Sequence, residues 1–209
     1  MTSIKRVYLD LDRTLLDTQA IMQALTKAGS QLYGFDIDDL RREYDQVNKD
    51  YKAGRLRAYS YFDQMSARGI SAERARLDME KALAGKSFLY SDVPGLLAFL
   101  NSGGYEVKIV TFGKTDYQMF KFGLAPELAQ LPIVVVSEEK NVYLSQQSSV
   151  PSLLIDDKEI KPLPDWCKQA LIDRKAPSGT LQEGDSLWRI NNLALIANLL
   201  YNDFNQKET

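Results

Sequence analysis

The feature that most constrains the fold of this chain is a series of short runs of aliphatic and β-branched residues, mostly separated by segments of helix length. Such runs are typical of buried strands. Because strands that alternate with helices usually pair in parallel, the pattern predicts an α/β fold built on a Rossmann-like, doubly wound parallel sheet, with ligand at the carboxyl ends of the strands. The predicted strands are residues 6–9, 105–111, 133–136, 152–155 and 169–172.

One long segment interrupts the alternation of strands and helices. Residues 18–86 are rich in Ala, Leu, Arg, Glu and Gln and poor in β-branched residues, which favours helices. Ser71 is the expected N-cap of the last of these helices. The predicted domains are a Rossmann-like core of residues 1–16 and 87–209 and an all-helical insertion of residues 17–86. The predicted helices of the insertion are residues 18–33, 37–53, 58–68 and 71–84.

Two further helices are predicted outside the insertion. Residues 96–102 form the first, which Gly103 and Gly104 are expected to cap at its C-terminus. Residues 173–185 are rich in turn-forming residues. Residues 186–204 then show helical periodicity, and this last helix is expected to pack on the sheet.

The charge balance limits the partners that suit this chain. Lys and Arg number 26 against 28 Asp and Glu, a formal net charge of −2, and both signs are scattered along the sequence. This argues against a nucleic-acid polymer or an anionic membrane as the main partner. No apolar stretch approaches the length of a membrane span and no signal-like pattern begins the sequence, so a cytoplasmic protein is expected. The sequence leaves the oligomeric state open.

Two residue counts restrict the chemistry. The lone cysteine, Cys167, can form neither an internal disulfide nor a typical zinc site, which indicates a reducing compartment. The sequence contains no histidine, so the commonest general base and metal ligand is excluded. Catalysis would therefore rest on Asp, Glu, Lys, Tyr, Ser or Thr.

Acidic residues end two of the predicted strands. Asp10 and Asp12 follow the first strand, and because alternate strand residues face the same way, they could present two carboxylates on one side. Asp156 and Asp157 follow the fourth strand, where an apolar run becomes doubly acidic. Converging carboxylates suit a hard cation and can divide the roles of nucleophile and acid.

Hydroxyl and amino groups fall at the ends of the strands in between. The second strand ends at Thr111, and Gly113 permits close approach of the backbone to an anion, although a threonine here is also typical of a turn or helix cap. Lys140 follows the third strand at the start of a predicted helix, with Lys114 and Lys158 as nearby alternatives. The pattern predicts one sheet edge that carries carboxylates, a hydroxyl and a cation.

In chain order these segments resemble the four motifs of the haloacid dehalogenase-like (HAD-like) superfamily. The first motif is the segment from Asp10 to Thr14, the second ends at Thr111, the third is Lys140, and the fourth is Asp156-Asp157. The helical insertion stands where that superfamily has its cap. The resemblance covers residues 5–17, 92–113 and 138–158.

The resemblance implies a mechanism. Asp10 would attack phosphorus and form an aspartyl-phosphate, and Asp12 would protonate the leaving alcohol and later activate water. Magnesium would be held by the carboxylates of Asp10 and Asp156 and the backbone carbonyl of Asp12. The implied substrate-binding residues are Thr111, Phe112 and Lys140, with Thr14, Gly113 and Asp157 in support.

Three positions qualify the resemblance. Arg13 stands where many relatives have glycine, and this side chain suits either a substrate contact or a salt bridge to the insertion. Asp157 suits either the orientation of a metal-bound water or Lys140, or a simple turn. Asp12 is retained in the superfamily's phosphatases and missing from its dehalogenases, which disfavours dehalogenation.

The resemblance thus implies a magnesium-dependent phosphomonoester hydrolase that acts on a small phosphorylated metabolite. A phosphomutase or phosphotransferase on the same scaffold is the alternative, since nothing in the insertion excludes it. A non-catalytic relative that binds a phosphorylated ligand is a third possibility, which the retained Asp10, Asp12, Thr111 and Asp156 disfavour. A receiver-like signalling module is disfavoured because its acidic pair precedes a phosphate-accepting Asp on a middle strand.

Overall fold

The computed structural model of the chain describes residues 3–53, 55, 58–177, 180–184 and 186–205. The strands among these residues form one sheet. Five of them lie where the sequence predicts strands, within two residues at each end. The strands are β1 (Arg6–Leu9), β2 (Glu106–Phe112), β3 (Ile133–Val136), β4 (Ser152–Asp156), β5 (Cys167–Ile172), β6 (Thr180–Glu183) and β7 (Leu187–Ile190). Their order in the sheet is β3-β2-β1-β4-β5-β7-β6.

The chain reverses its direction of winding at β1. It runs from β1 outward through β2 to β3, and then returns to add β4 on the other side of β1. Both neighbours pair with β1 in parallel, and Leu9 is opposite Ile109 on β2 and Ile155 on β4. Parallel sheets bind ligands at such a switch point, just beyond the carboxyl ends of the strands. The predicted α/β fold with a doubly wound parallel core is confirmed.

The last third of the chain differs from the prediction in one place. The predicted helix of residues 186–204 begins only at Leu195. Within the predicted range, Leu187–Ile190 form β7 instead, which pairs in parallel with β5 and antiparallel with β6. The prediction was wrong because the spacing of Leu187, Ile190 and Leu193 suits a helix as well as a strand. Pairing with a buried neighbouring strand decides the outcome. Residues 178, 179 and 185 of the predicted turn segment lie outside the described residues.

The remaining described elements are helices. Ser71 caps the helix Ala72–Leu83 as predicted, since its hydroxyl accepts a hydrogen bond from the backbone N–H of Arg74 at 3.3 Å. Among the described residues, no helix combines the length and apolar character that crossing a membrane requires. The helices are α1 (Thr18–Tyr33), α2 (Ile37–Lys52), α3 (Tyr61–Ala67), α4 (Ala72–Leu83), α5 (Val93–Ser102), α6 (Thr115–Gly123), a short 3-10 helix (Pro126–Leu128), α7 (Lys140–Ser145) and α8 (Leu195–Asn205).

Contacts divide the chain into two compact units. The first comprises Met1–Leu16, Leu89–Thr111 and Gln130–Thr209, and the second comprises Asp17–Phe88 and Phe112–Ala129. The second unit therefore includes α6 as well as the helices of the predicted insertion. The predicted division into a core of residues 1–16 and 87–209 and a cap of residues 17–86 concerns functional domains and stays a prediction.

Aromatic packing explains why α6 groups with the helices of the second unit. The ring of Phe62 on α3 meets those of Tyr117 and Phe120 on α6 edge to face, with centroids 5.8 and 5.0 Å apart. The hydroxyl of Tyr117 also contacts the sulfur of Met22 on α1 at 3.0 Å. Edge-to-face pairs add to the stabilisation that burial of the rings provides.

Packing of α1 against α3 depends on a glycine. The buried Tyr61 hydroxyl donates a hydrogen bond to the backbone oxygen of Leu25, at 3.0 Å. A Cβ atom added at Gly29 would lie 2.3 Å from that hydroxyl oxygen. Glycine in a helix interior normally lowers stability by about 0.5–1 kcal/mol relative to alanine. Here the close approach of a tyrosine to the helix backbone requires it.

We therefore expect Gly29→Ala to destabilise the protein by about 1–3 kcal/mol, because the added methyl group overpacks a buried contact. In a Tyr61→Phe background the same substitution should be neutral or stabilising, since the clashing oxygen is gone. Urea unfolding of the four proteins measures both effects. An equal loss of stability in the two backgrounds would contradict this account of the packing.

Candidate active site

The switch point of the sheet brings two acidic residues together. Asp10 directly follows β1 and Asp156 ends β4, the parallel neighbour of β1. The backbone N–H of Asp10 continues the ladder by donating to the oxygen of Ile155 at 2.9 Å. Both carboxylates are buried, with Asp10 only 4% and Asp156 only 1% exposed. Burial of two neighbouring acids is costly unless a cation lies with them.

Lys140 supplies that cation. It is the first residue of α7, and its side chain is buried. The ammonium donates hydrogen bonds to Oδ1 of Asp10 and, at 2.6 Å, to Oδ2 of Asp156. The alternatives Lys114 and Lys158 are both exposed, and Lys114 pairs with Asp63 in the second unit. Lys140 is therefore the lysine that meets the acidic pair.

The pKa values of these groups reflect their burial and their charges. Burial raises the pKa of Asp10 to about 7, an effect that the Lys140 ammonium opposes and the Asp156 carboxylate reinforces. Burial lowers the pKa of Lys140, but the two carboxylates outweigh it and the net pKa is raised. The two carboxylates therefore favour the charged form of Lys140, whereas burial favours the neutral form of Asp10.

A third carboxylate completes the acidic cluster. One oxygen each from Asp10, Asp156 and Asp157 lies within 4.8 Å of the others. Burial raises the pKa of Asp157, and the Asp156 carboxylate adds to the rise. Nη1 of Arg13 is 3.9 Å from Oδ2 of Asp157. The three acids thus outnumber the one buried lysine.

The cluster fits a magnesium ion. Oδ2 of Asp10 is buried and has no hydrogen-bond partner among the described residues, so this oxygen is available to a cation. Magnesium prefers carboxylate oxygens, and a divalent charge would balance acids that Lys140 alone does not. The predicted ligands Asp10 and Asp156 belong to the cluster, and Asp157 joins them. For Asp12 the prediction concerns a backbone carbonyl, and it stays a prediction.

Two threonine hydroxyls are buried beside this part of the sheet. Thr111 on β2 and Thr14 in the turn after β1 are at most 1% exposed. Neither hydroxyl oxygen has a hydrogen-bond partner within the described part of the chain. A buried hydroxyl without a partner is uncommon, because the desolvated polar group costs free energy. Thr111 is therefore suited to donate to an anionic ligand, which is its predicted role.

Asp12 lies in a tight turn after β1. It is half-buried and forms an isolated bridge with Leu16, while the N–H of Arg13 donates to the oxygen of Leu16 at 2.8 Å. Arg13 has a φ of 62°, a left-handed conformation that costs a non-glycine residue about 1–2 kcal/mol. A glycine would adopt this conformation without strain. The arginine keeps the left-handed turn, and its side chain is exposed near Asp157.

Phe112 and Gly113 belong to the second unit. The backbone oxygen of Phe112 accepts a hydrogen bond from Nε2 of Gln118 at 2.8 Å. Gly113 has a φ of 151°, and a Cβ there would lie 2.5 Å from the same Nε2 atom. The close approach of Gln118 is thus a reason for this glycine that the sequence analysis missed.

Sequence reasoning also missed two residues that hold the loops of the site. Buried Gln169 on β5 donates to the oxygen of Lys158 at 2.6 Å and accepts from the N–H of Ile160 at 3.1 Å, which fixes the loop after Asp157. Arg174, beyond the end of β5, binds the turn that contains Asp12. The sequence indicates these two residues only by their position, since Gln169 is on the buried strand β5 and Arg174 follows its carboxyl end.

Comparisons with known proteins identify the fold that carries this site. No protein-family model and no curated protein sequence matches the chain. Solved structures do match it over nearly its whole length. The HAD-hydrolase YfnB from Bacillus subtilis, bound to magnesium, is 14% identical with a TM-score of 0.63, and the match covers 95% of this chain and 99% of that one. The chain has the HAD-like fold.

Two further HAD-like structures show how varied the chemistry on this fold is. A HAD phosphatase from Thermococcus onnurineus is 17% identical, with a TM-score of 0.56 and coverage of 94% of this chain and 98% of that one. The L-2-haloacid dehalogenase from Xanthobacter autotrophicus, with chloropropionic acid covalently bound, is 14% identical, with a TM-score of 0.55 and coverage of 95% and 98%. At such identities the likeness concerns the HAD-like fold, and function must be argued from the site.

We expect magnesium to bind the acidic cluster and to raise the melting temperature of the wild-type protein, because a ligand of the folded state stabilises it. Asp156→Asn should weaken magnesium binding at least about tenfold, since it removes a charged ligand. Isothermal titration calorimetry gives both affinities. Asp165→Asn, which changes an exposed acid of the same unit, is the matched control and should bind like wild type. Equal binding by all three proteins would rule out the cluster as the metal site.

Proposed function

We propose that this protein is a magnesium-dependent phosphomonoester hydrolase that uses Asp10 as its nucleophile. The observation that carries the proposal is the buried Lys140 ammonium, which holds Oδ1 of Asp10 and leaves Oδ2 without a partner among the described residues. A carboxylate has two oxygens with about four lone-pair sites, so the oriented Asp10 side chain can bind a cation through one oxygen and attack phosphorus in line with the other. The HAD phosphatase from Thermococcus onnurineus has the same fold, which is consistent with this chemistry.

In the first step an Asp10 oxygen forms a bond to phosphorus while the bond from phosphorus to the leaving alcohol breaks. Asp12 gives its proton to the departing oxygen, so that the alcohol leaves neutral. The Thr111 hydroxyl donates to a phosphate oxygen, and the Lys140 ammonium offsets the negative charge shared by nucleophile and phosphate. The product of this step is an aspartyl-phosphate.

In the second step the aspartyl-phosphate is hydrolysed. Asp12, now a carboxylate, accepts a proton from water as the water oxygen bonds to phosphorus. The bond between phosphorus and the Asp10 oxygen breaks, which restores the Asp10 carboxylate and releases inorganic phosphate. One acid thus serves first as proton donor and then as proton acceptor, a role that a carboxylate can fill in a chain without histidine.

Magnesium would be held by Asp10 and Asp156, with Asp157 as a third carboxylate and the backbone carbonyl of Asp12 as a further oxygen. When bound, this ion neutralises charge that builds up on the phosphate oxygens. Lys140 offsets the repulsion between the carboxylates of Asp10 and Asp156.

Dehalogenation suits the site less well, although a dehalogenase shares the HAD-like fold. A halide leaves without a proton and needs no divalent cation, so its departure requires neither a proton donor at Asp12 nor a cluster of acids that outnumbers Lys140. Phosphate ester hydrolysis uses both a proton donor and charge neutralisation. The number of acids beside Lys140 is therefore the feature that favours a phosphorylated substrate. A small phosphorylated metabolite is the substrate class we propose.

We expect Asp10→Asn to reduce magnesium-dependent release of phosphate from an aryl phosphate and a panel of phosphorylated metabolites by at least about a thousandfold, because it removes the nucleophile. Asp12→Asn should lower the rate by about 10²–10⁴-fold, the usual contribution of general acid–base catalysis. Phosphate release measured at saturating magnesium gives both values.

The two variants should also differ in mass. Asp12→Asn incubated with an aryl phosphate, whose leaving group needs little protonation, should carry one phosphoryl group, whereas Asp10→Asn should carry none. Mass spectrometry after rapid acid quench detects the adduct. Asp165→Asn is the matched control and should keep wild-type activity, since its side chain is exposed outside the cluster. Undiminished activity of Asp10→Asn would refute the proposed nucleophile.

A further inference from the structure

One arginine, Arg174, binds the backbone of the turn that contains Asp12. Nη2 of Arg174 donates to the backbone oxygen of Thr14 at 2.6 Å, and Nε donates to the backbone oxygen of Arg13 at 3.2 Å. Arg174 lies two residues beyond the end of β5 and is far from this turn in sequence. Two hydrogen bonds from one planar guanidinium fix both the position and the tilt of the two peptide groups.

The guanidinium is itself held on two sides. Nη1 and Nη2 bind the two carboxylate oxygens of Asp92 at 3.0 and 3.2 Å, a bidentate pair. The guanidinium carbon also lies 3.5 Å from the centre of the Tyr90 ring, a stacking contact. Arg174 and Asp92 are both largely shielded from solvent, with side chains 19% and 8% exposed. An arginine held in this way can transmit a fixed geometry to the peptides that it binds.

The Asp92 side chain binds Arg174 instead of capping the helix that follows it. It occupies the N-cap position of α5, yet its side chain makes no capping hydrogen bond there within the described residues. Its Oδ2 instead accepts the N–H of Leu193, at 2.9 Å, in addition to Arg174. A favourable helix cap is given up, which indicates that the pair with Arg174 has another task.

That task is to hold a turn in a conformation that its own sequence disfavours. Arg13 has a φ of 62°, where glycine would rest without strain. Asp12 precedes Arg13 directly, so a relaxed turn would move its carboxylate. We propose that Arg174 is a positioning residue that fixes the left-handed turn at Arg13 and thereby the carboxylate of Asp12. The kinetic part of this inference rests on the proposed function.

The first test compares Arg174→Ala and Arg174→Lys with wild type in the phosphatase assay. We expect kcat of Arg174→Ala to fall about 10–100-fold with KM changed by about twofold at most, because a misplaced proton donor slows chemistry more than binding. Arg174→Lys should stay impaired, since an ammonium lacks the planar fork. Lys175→Ala, the exposed neighbour, is the matched control and should keep wild-type kcat.

The second test needs no activity. Hydrogen exchange of the backbone amides of Arg13, Leu15 and Leu16, which are hydrogen-bonded inside the turn, reports how firmly the turn is held. In Arg174→Ala these amides should exchange at least about tenfold faster, which corresponds to about 1.4 kcal/mol, while amides of β1 and β4 should not change. If wild type released no phosphate, the proposed function would fail, but this experiment would still judge the role of Arg174.

The third test asks whether the left-handed conformation is what Arg174 secures. Combined with Arg13→Gly, Arg174→Ala should lose much less kcat than it does alone, because glycine adopts the turn without help. Arg13→Gln removes the same charge but keeps the strain, and it should give no such rescue. Unchanged exchange in Arg174→Ala, or an equal loss of kcat with and without the Arg13→Gly substitution, would overturn the proposal.

Discussion

The site depends on one buried cation. Asp10 and Asp156 are brought side by side because β1 and β4 pair in parallel at the switch point of the sheet. Two neighbouring desolvated carboxylates repel each other, and the Lys140 ammonium offsets this repulsion because it donates a hydrogen bond to both. Breaking such a buried pair typically costs about 3–5 kcal/mol. The first residue of α7 therefore couples the stability of the sheet edge to the chemistry that we propose for it.

The loops around this pair are held by residues from the next strand. Gln169 on β5 secures the loop after Asp157, and Arg174 beyond β5 secures the turn after Asp10. In both cases side-chain groups bind backbone groups, so the loops keep their shape independently of the loop side chains. Catalytic groups on loops need such support, because small displacements are costly for the reaction. The strand beside the switch point thus stabilises both acidic segments of the site.

Much of the fold could be predicted from the sequence because its signals are local. Short stretches of sequence are enough to predict the apolar strands β1 to β5 and the helices after Asp17. Ser71 also caps its helix as the sequence indicates. Residues 187–190 misled the prediction because their spacing suits a helix as well as a strand, and only the partner β5 distinguishes the two. The grouping of α6 with α1 and α3 depends on contacts between side chains that are distant in sequence, which no local pattern predicts.

The sequence by itself determined which groups the site has to work with. It provides acids after β1 and β4, a threonine on β2, a lysine after β3 and no histidine, and this is already enough to point to carboxylate chemistry. Only the tertiary structure decided that Lys140 rather than Lys114 or Lys158 meets the acids, and that Arg174 grips the turn at Arg13. The physical reason is that composition and local periodicity set the chemistry and the elements, whereas strand pairing and long-range hydrogen bonds set the distances between them.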